Sequence, residues 1–237
     1  MPKVIAVLGV GPGLGLSIAR RFGREGFTTA LVSRTDTRHA SYRASLGGTP
    51  THTYAADVTD PAQLKAVLAR ITAEAGELDT VYFGPADATS GPGITPLTEA
   101  GADALRTPFE AIVSPAARLV EAVLPDMLKR GSGSLLFAGG LSGKYPMAML
   151  GSLAPASAAL RMYVLTLHAA LRETGVYAGT LTIGGLIERG DIHREFTKQD
   201  HGFKVGTLDP DDIADRAWSL YNDREEAEAE FNAMAAV

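Results

Sequence analysis

Residues 4–15 read Val-Ile-Ala-Val-Leu-Gly-Val-Gly-Pro-Gly-Leu-Gly, an apolar run that ends in a glycine-rich turn. Behind the turn, Leu16, Ile18, Ala19 and Phe22 recur at helical spacing, with Arg20, Arg21 and Arg24 set between them. A buried strand that feeds a tight turn and then a helix leaves the helix's first N–H groups unpaired at the strand's end. The positive end of the helix dipole lies at the same place. Such an arrangement is a cradle for a pyrophosphate. Gly9, Gly13 and Gly15 are spaced Gly-x-x-x-Gly-x-Gly, with Gly11 and Leu14 inside the turn. Side chains at these glycines would hold a ligand away from the backbone. The pattern predicts a dinucleotide site.

The remaining chain repeats the same alternation. Apolar and β-branched runs predict strands near 3–9, 28–33, 51–56, 78–83, 134–138 and 177–183. Helical patterns fall near 13–25, 61–75, 100–129, 152–173 and 210–221, with a short one near 36–46. Strands joined by helical crossovers imply an α/β fold, a doubly wound parallel sheet with helices on both faces. Thr59-Asp60-Pro61 and Asp209-Pro210 each place a capping carboxylate before a proline suited to the first helical turn. A length of 237 residues with 46% hydrophobic content suits a single domain spanning 1–237. The polar, glycine-flanked stretch 187–208 reads as a mobile substrate flap. The tail 222–237, with Glu225, Glu226, Glu228 and Glu230, reads as a solvated end.

Composition removes several classes of function. A net charge of −5 supplies no general basic field for nucleic acid or an anionic membrane surface. The absence of cysteine excludes disulfides, thiolate catalysis and cysteine-ligated metals. No apolar run approaches the ~20 residues that span a bilayer, and the first residues carry no secretory leader pattern. A cytoplasmic protein is expected. Asp191, His193, Asp200 and His201 lack a compact metal-ligand spacing, so no metal is expected.

The end of the second predicted strand says which dinucleotide to expect. A site selective for NAD places a carboxylate there for the ribose hydroxyls. Here Ser33 is followed by Arg34, with Arg38 four residues on. Guanidinium groups suit a 2′-phosphate through paired hydrogen bonds, so NADP(H) is favoured over NAD(H); solvated flank charges are the plainer reading of the same arginines. Asp57-Val58, after the third strand, reads as the adenine edge, with a turn or helix-cap role as the alternative for Asp57.

Together these residues resemble the short-chain dehydrogenase/reductase family. The likeness extends to Val123-Leu124-Pro125 at the end of a long helix and to Asp209-Pro210-Asp211-Asp212-Ile213-Ala214. It implies a Rossmann-type sheet of about seven strands and hydride transfer between NAD(P)(H) and an alcohol or carbonyl. It also implies a homodimer or homotetramer formed through the two long central helices. On this resemblance Gly84, Gly185 and Ile187 join the cofactor site.

The family's chemistry uses an Asn, a Ser and a Tyr-x-x-x-Lys pair, in which the lysine lowers the pKa of the tyrosine acid. This chain lacks all four. Aligned on the fifth strand, Gly140 stands at the serine position, Leu153 at the tyrosine and Ser157 at the lysine. None of the tyrosines at 42, 54, 82, 145, 163, 177 and 221 has a lysine four residues later, and the only asparagines are Asn222 and Asn232. Phe83-Gly84-Pro85-Ala86 replaces the Asn-Asn-Ala-Gly turn. Gly184-Gly185 replaces a Pro-Gly, and Arg189 a threonine. The segment from Phe137 to Leu153 resembles a divergent branch of the family, yet Ala156-Ser157 departs from the Gly-Lys of that branch too.

Tyr145, beside Lys144 and Ser142, is the candidate substitute proton donor; packing of its own loop is the alternative. His193, with Arg189, Asp191 and Arg194, either closes over a substrate or forms a solvated face. Three functional classes emerge. One is an atypical or slow NADP(H) oxidoreductase acting on a small carbonyl or alcohol, and another is a catalytically silent NADP(H) redox sensor. The third is a methyltransferase, because Gly9-Val10-Gly11-Pro12-Gly13 superficially matches an S-adenosylmethionine turn. That class wants acids where Leu8 and Ser33-Arg34 stand.

Overall fold

The computed structural model describes residues 2–84, 93–198, 202 and 205–234. Pro85, Ala86, Asp200 and His201 lie outside them. The strands are β1 (Val4–Leu8), β2 (Thr28–Ser33), β3 (Thr51–Ala55), β4 (Leu78–Phe83), β5 (Gly133–Gly140), β6 (Val176–Gly184), β7 (Leu186–Ile187), β8 (Thr207–Leu208) and β9 (Glu228–Asn232). The helices are α1 (Leu14–Arg24), α2 (His39–Ser45), α3 (Pro61–Ala75), α4 (Ala102–Pro108), α5 (Ser114–Arg130), α6 (Leu153–Ala170), α7 (Asp191–Phe196) and α8 (Pro210–Asp223).

Seven strands form one parallel sheet in the order β3-β2-β1-β4-β5-β6-β9. The strand order reverses at β1 and β4, so a crevice opens at their C-terminal ends, where ligands of such sheets bind. Every residue of β1 is buried, as expected of a parallel strand covered on both faces. Alternation divides it cleanly. Val4, Ala6 and Leu8 join the core under α3, α5 and α6, whereas Ile5 and Val7 join the core under α1 and α8. On the second face Phe22, Phe27, Trp218 and Tyr221 pack mostly edge to face at centroid distances of 5.1–6.1 Å, tying α1 to α8.

Two expectations are corrected. The segment 222–237 is not simply a solvated end: β9 pairs with β6 from Thr180↔Glu228 to Gly184↔Asn232 and completes the sheet. Its charges hid it, and they are met by partners from elsewhere in the chain. Arg161 of α6 makes two bonds to Glu228 at 2.7 and 2.6 Å, and Thr182 donates to the same carboxylate at 2.6 Å. The expected helix 100–129 is divided by a π-helical turn, Phe109–Val113, between α4 and α5. Pro115 has no N–H to give to the carbonyl four residues back, which removes one rung of the regular ladder beside this turn. The segment 187–208 holds α7, none of whose residues is buried, and most of the small β7–β8 sheet among its described residues.

Candidate active site

The glycine turn has the features of an anion site. Gly9 has φ +92°, a left-handed conformation that favours glycine, and the N–H groups of Gly9 and Val10 both donate to the Val32 carbonyl, at 3.0 and 2.9 Å. The turn is thereby anchored on β2. Gly15 touches the turn from inside: a Cβ there would lie 2.9 Å from Val10 Cα and 3.1 Å from the Gly9 oxygen. Gly11 has nothing within 4 Å of its would-be Cβ, so the turn is open on that side. Gly13 caps α1 without a side-chain bond, and no acidic residue stands in the helix's first turn. Leu14 and Gly15 begin α1 and are buried. An uncapped helix start beside open space fits a pyrophosphate.

At the end of β2, Ser33 Oγ donates to the Thr35 carbonyl at 2.9 Å and meets His39 Nε2 at 2.8 Å. His39, which the sequence pattern does not single out, is 5% exposed, and burial lowers its pKa. No periodicity marks it; only its place six residues after Ser33, in the same turn, could have. Arg34 and Arg38 are exposed. Arg38 Nη1 donates to Asp191 Oδ2 at 2.6 Å, so the β2 end is tied to α7.

Asp57 makes a turn. Its Oδ1 accepts from Thr59 N at 2.9 Å and Thr59 Oγ1 at 2.7 Å. The cap of α3 is instead Asp60, which accepts from the N–H groups of Ala62 and Gln63 and whose pKa those bonds lower. Val58 is buried in the core below α3. Gly84 donates from its N–H to the Leu8 carbonyl at 3.0 Å, closing β4 onto β1. Gly185 has φ +142°, and the next residues enter β7, where Leu186 and Glu188 donate to the Gly206 and Leu208 carbonyls. By alternation the Ile187 N–H points to the side away from β8.

Of the positions that the sequence reading sets against the tetrad, Ser157 is buried, whereas Gly140 and Leu153 are half-buried. Ser157, on the first turns of α6, and Ser142, just past β5, are 5% and 7% exposed. A Cβ on Gly140 would lie 3.3 Å from Ser157 Oγ and 3.4 Å from Ser142 Oγ. A Cβ on Gly143 would strike the Ser157 carbonyl oxygen at 2.6 Å. Helix α6 therefore rests directly on the β5 exit. Ser142 Oγ is buried and finds no hydrogen-bond partner among the described residues, an uncommon situation for a native hydroxyl.

Tyr145 lies elsewhere. Its hydroxyl donates to Glu230 Oε2 on β9 at 3.3 Å, and Lys144 bonds the same oxygen at 2.6 Å, which raises the lysine's pKa. His193 sits half-buried on α7, and His168 bonds the Ala178 carbonyl through Nδ1 at 2.9 Å, a satisfied histidine. Among the described residues no cluster of acids and histidines is placed to hold a metal, and no helix is long and apolar enough to cross a membrane.

Residues 3–199 match the short chain dehydrogenase family. The chain belongs to that family. It is 25% identical over 223 residues to the NADP-dependent 3-hydroxy acid dehydrogenase YdfG of Escherichia coli K12, covering 91% of this chain and 87% of that one. In structure it is similar to L-sorbose reductase from Gluconobacter frateurii, solved with NADPH and L-sorbose. The TM-score is 0.81 at 22% identity, over 98% and 96% of the two chains. A short-chain oxidoreductase from Pseudomonas aeruginosa PAO1, described as containing an atypical catalytic center, gives 0.81 at 17% identity over 99% and 97%. The family match accounts for the parallel sheet and the cradle. It does not by itself assign a reaction, because a fold is a weak warrant for chemistry.

Proposed function

We propose that this short-chain dehydrogenase binds NADP(H) in the crevice at β1 and β4 and exchanges a hydride slowly with a small carbonyl or alcohol compound. The observation that carries the reading is the uncapped start of α1 facing open space at Gly11, with Arg34 and Arg38 exposed beyond Ser33. The names of its relatives support it: YdfG is NADP-dependent, and the sorbose reductase was solved with NADPH.

In this assignment the amides of the turn from Gly9 to Gly15 hold the pyrophosphate, and Arg34 and Arg38 hold the 2′-phosphate. Ser33 sets no carboxylate against that phosphate. Asp57 and Val58 edge the adenine, while Gly84, Gly185 and the Ile187 N–H border the nicotinamide half. When bound, the nicotinamide supplies or accepts the hydride. Orientation alone is a large part of such a barrier, whereas a positioned acid contributes about 10²–10⁴ in rate. With Leu153 at the acid's position and Ser157 at that of its lysine partner, the proton comes from water and turnover is slow.

The closed packing of Ser142 and Ser157 around Gly140 favours a second reading, a binder that reports cofactor redox state without turnover. By family likeness α5 and α6 pair across a two-fold in a homodimer or homotetramer, and exposed Met162 on α6 suits that face. Titration of ligand-free protein with NADPH, NADH and S-adenosylmethionine is the test. NADPH should bind tightest; no affinity at millimolar NADPH overturns the proposal. Steady NADPH oxidation with any member of a carbonyl panel selects the enzyme over the reporter. A monomeric mass in solution removes the pairing.

A further inference from the structure

The ion pair of Arg38 and Asp191 joins segments 153 residues apart in sequence. Arg38 stands at the N-cap of α2 and Asp191 is the first residue of α7. The residues just before Asp191 form a strap against the glycine turn. A Cβ at Gly13 would lie 3.1 Å from both N and Cα of Gly190 and 3.2 Å from the Glu188 oxygen. The strap is held again at Arg189, whose backbone is left-handed at φ +64°. Its guanidinium donates to Asp209 Oδ1 and Asp211 Oδ2, each at 2.9 Å, at the start of α8. The Arg189 tie is structural. The Arg38 tie engages the guanidinium that the proposed function gives to the 2′-phosphate.

Resting on that assignment of Arg38, we propose that Asp191 is a built-in occupant of the 2′-phosphate site, so that a 2′-phosphorylated dinucleotide, and not NAD(H), unlatches this end of the strap. A carboxylate and a phosphate offer a guanidinium the same kind of oxygen acceptors, so they compete for Arg38. A phosphomonoester carries about −1.5 to −2 charges near neutral pH against one for the carboxylate, and it repels a carboxylate left beside it. Asp191 has a second cation to turn to, because Arg194 on its own helix also pairs with it. The aspartate therefore has two positions: shared with Arg38, or withdrawn onto α7. A dinucleotide ending in a plain ribose brings no charge and leaves the pair made. Linkage makes the effect reciprocal: the latch weakens binding of the phosphorylated cofactor by the factor with which that cofactor loosens the latch.

The test compares dissociation constants for NADPH, NADH and 2′,5′-ADP in the full chain, its Asp191→Asn and Arg38→Ala variants, and the double variant. Both side chains reach solvent, so folding is not at risk. Asp191→Asn should tighten NADPH and 2′,5′-ADP about two- to five-fold, the range of an exposed ion pair, leave NADH unchanged, and lose its effect once Arg38 is alanine. In the unmodified chain, tryptic cleavage after Arg194 should quicken with 2′,5′-ADP but not with 5′-AMP. Tightening of equal size without Arg38 assigns the effect to general charge and overturns the latch, as does unchanged or weaker NADPH binding by Asp191→Asn. Cleavage that ignores the 2′-phosphate overturns it as well. If the unmodified chain binds NADH but shows no preference for NADPH, the phosphate assignment itself has failed, and the latch falls with it.

Discussion

Glycine serves opposite purposes at the two ends of the crevice. In the turn before α1, Gly9 supplies a left-handed bend and Gly11 leaves open space, so the backbone is presented outward. At the exit of β5, Gly140 and Gly143 let the chain's own helix approach, and Ser157 with Ser142 takes up the room. The first region is kept available to a ligand; the second is closed upon itself. On the proposed reading, the cofactor half of the crevice is open at Gly11, while beside Gly140 the chain's own Ser142 and Ser157 fill the space. Arg161, one turn beyond Ser157 on α6, shows the helix in different employment, holding Glu228 of β9.

The largest effect should come from closing the open region. Gly15→Val drives side-chain carbon into the Val10 and Gly9 backbone, which cannot yield as a side chain would. Overpacking of this kind costs about 1–3 kcal/mol or more; NADPH affinity should fall more than tenfold in a fluorescence titration, alongside a lower melting temperature. Unchanged binding would erase the distinction between the two glycine regions.

Next comes Ser157→Lys, which restores the family's residue at its aligned position. Ser157 is buried against Gly140 and Gly143, so the new ammonium is forced into a site with no room. A loss of about 2–4 kcal/mol in urea unfolding is expected from overpacking plus a buried charge. Full stability together with faster NADPH oxidation would mean that the region lacks residues but keeps its shape.

Glu228→Gln breaks the charge-assisted bonds that hold β9 and should cost about 2 kcal/mol. Chiefly through the bond from Arg161, the Glu228 carboxyl is held below its ordinary 4.5. A carboxyl depressed in the folded state contributes fully above its ordinary pKa and is lost as pH falls through the folded value. Acid titration from about pH 5 downward should therefore destabilise the parent more than the variant. The smallest effect is reserved for Tyr145→Phe. With its hydroxyl on Glu230 rather than at Gly140, turnover should change less than about twofold; a loss of about a hundredfold, the scale of a missing general acid, would return Tyr145 to that role.

Much of the fold was legible because its causes are local. Thr59-Asp60-Pro61 announced α3 through cap and proline, and the structure has both bonds from Asp60. The alternation of short apolar runs with helical patterns marked six of the seven strands of the main sheet nearly in place. β9 was hidden because Glu228-Ala229-Glu230-Phe231-Asn232 reads as a charged tail until Arg161, Lys144 and Thr182 arrive from distant segments. His39 was missed for a similar reason, since its meaning lies in a contact with Ser33. The π turn escaped because helical spacing continues through it.

By itself, then, the amino-acid order determined a strand, glycine turn and helix, a parallel α/β sheet, and the absence of any Tyr-x-x-x-Lys pair. Each of these depends on neighbours in the chain or on residue identity alone. Tertiary structure decided that α6 closes on Gly140 and Gly143, that Tyr145 faces β9, and that Arg38 meets Asp191. Those are contacts between segments 14 to 153 residues apart, and no local preference encodes which side chains such segments bring together.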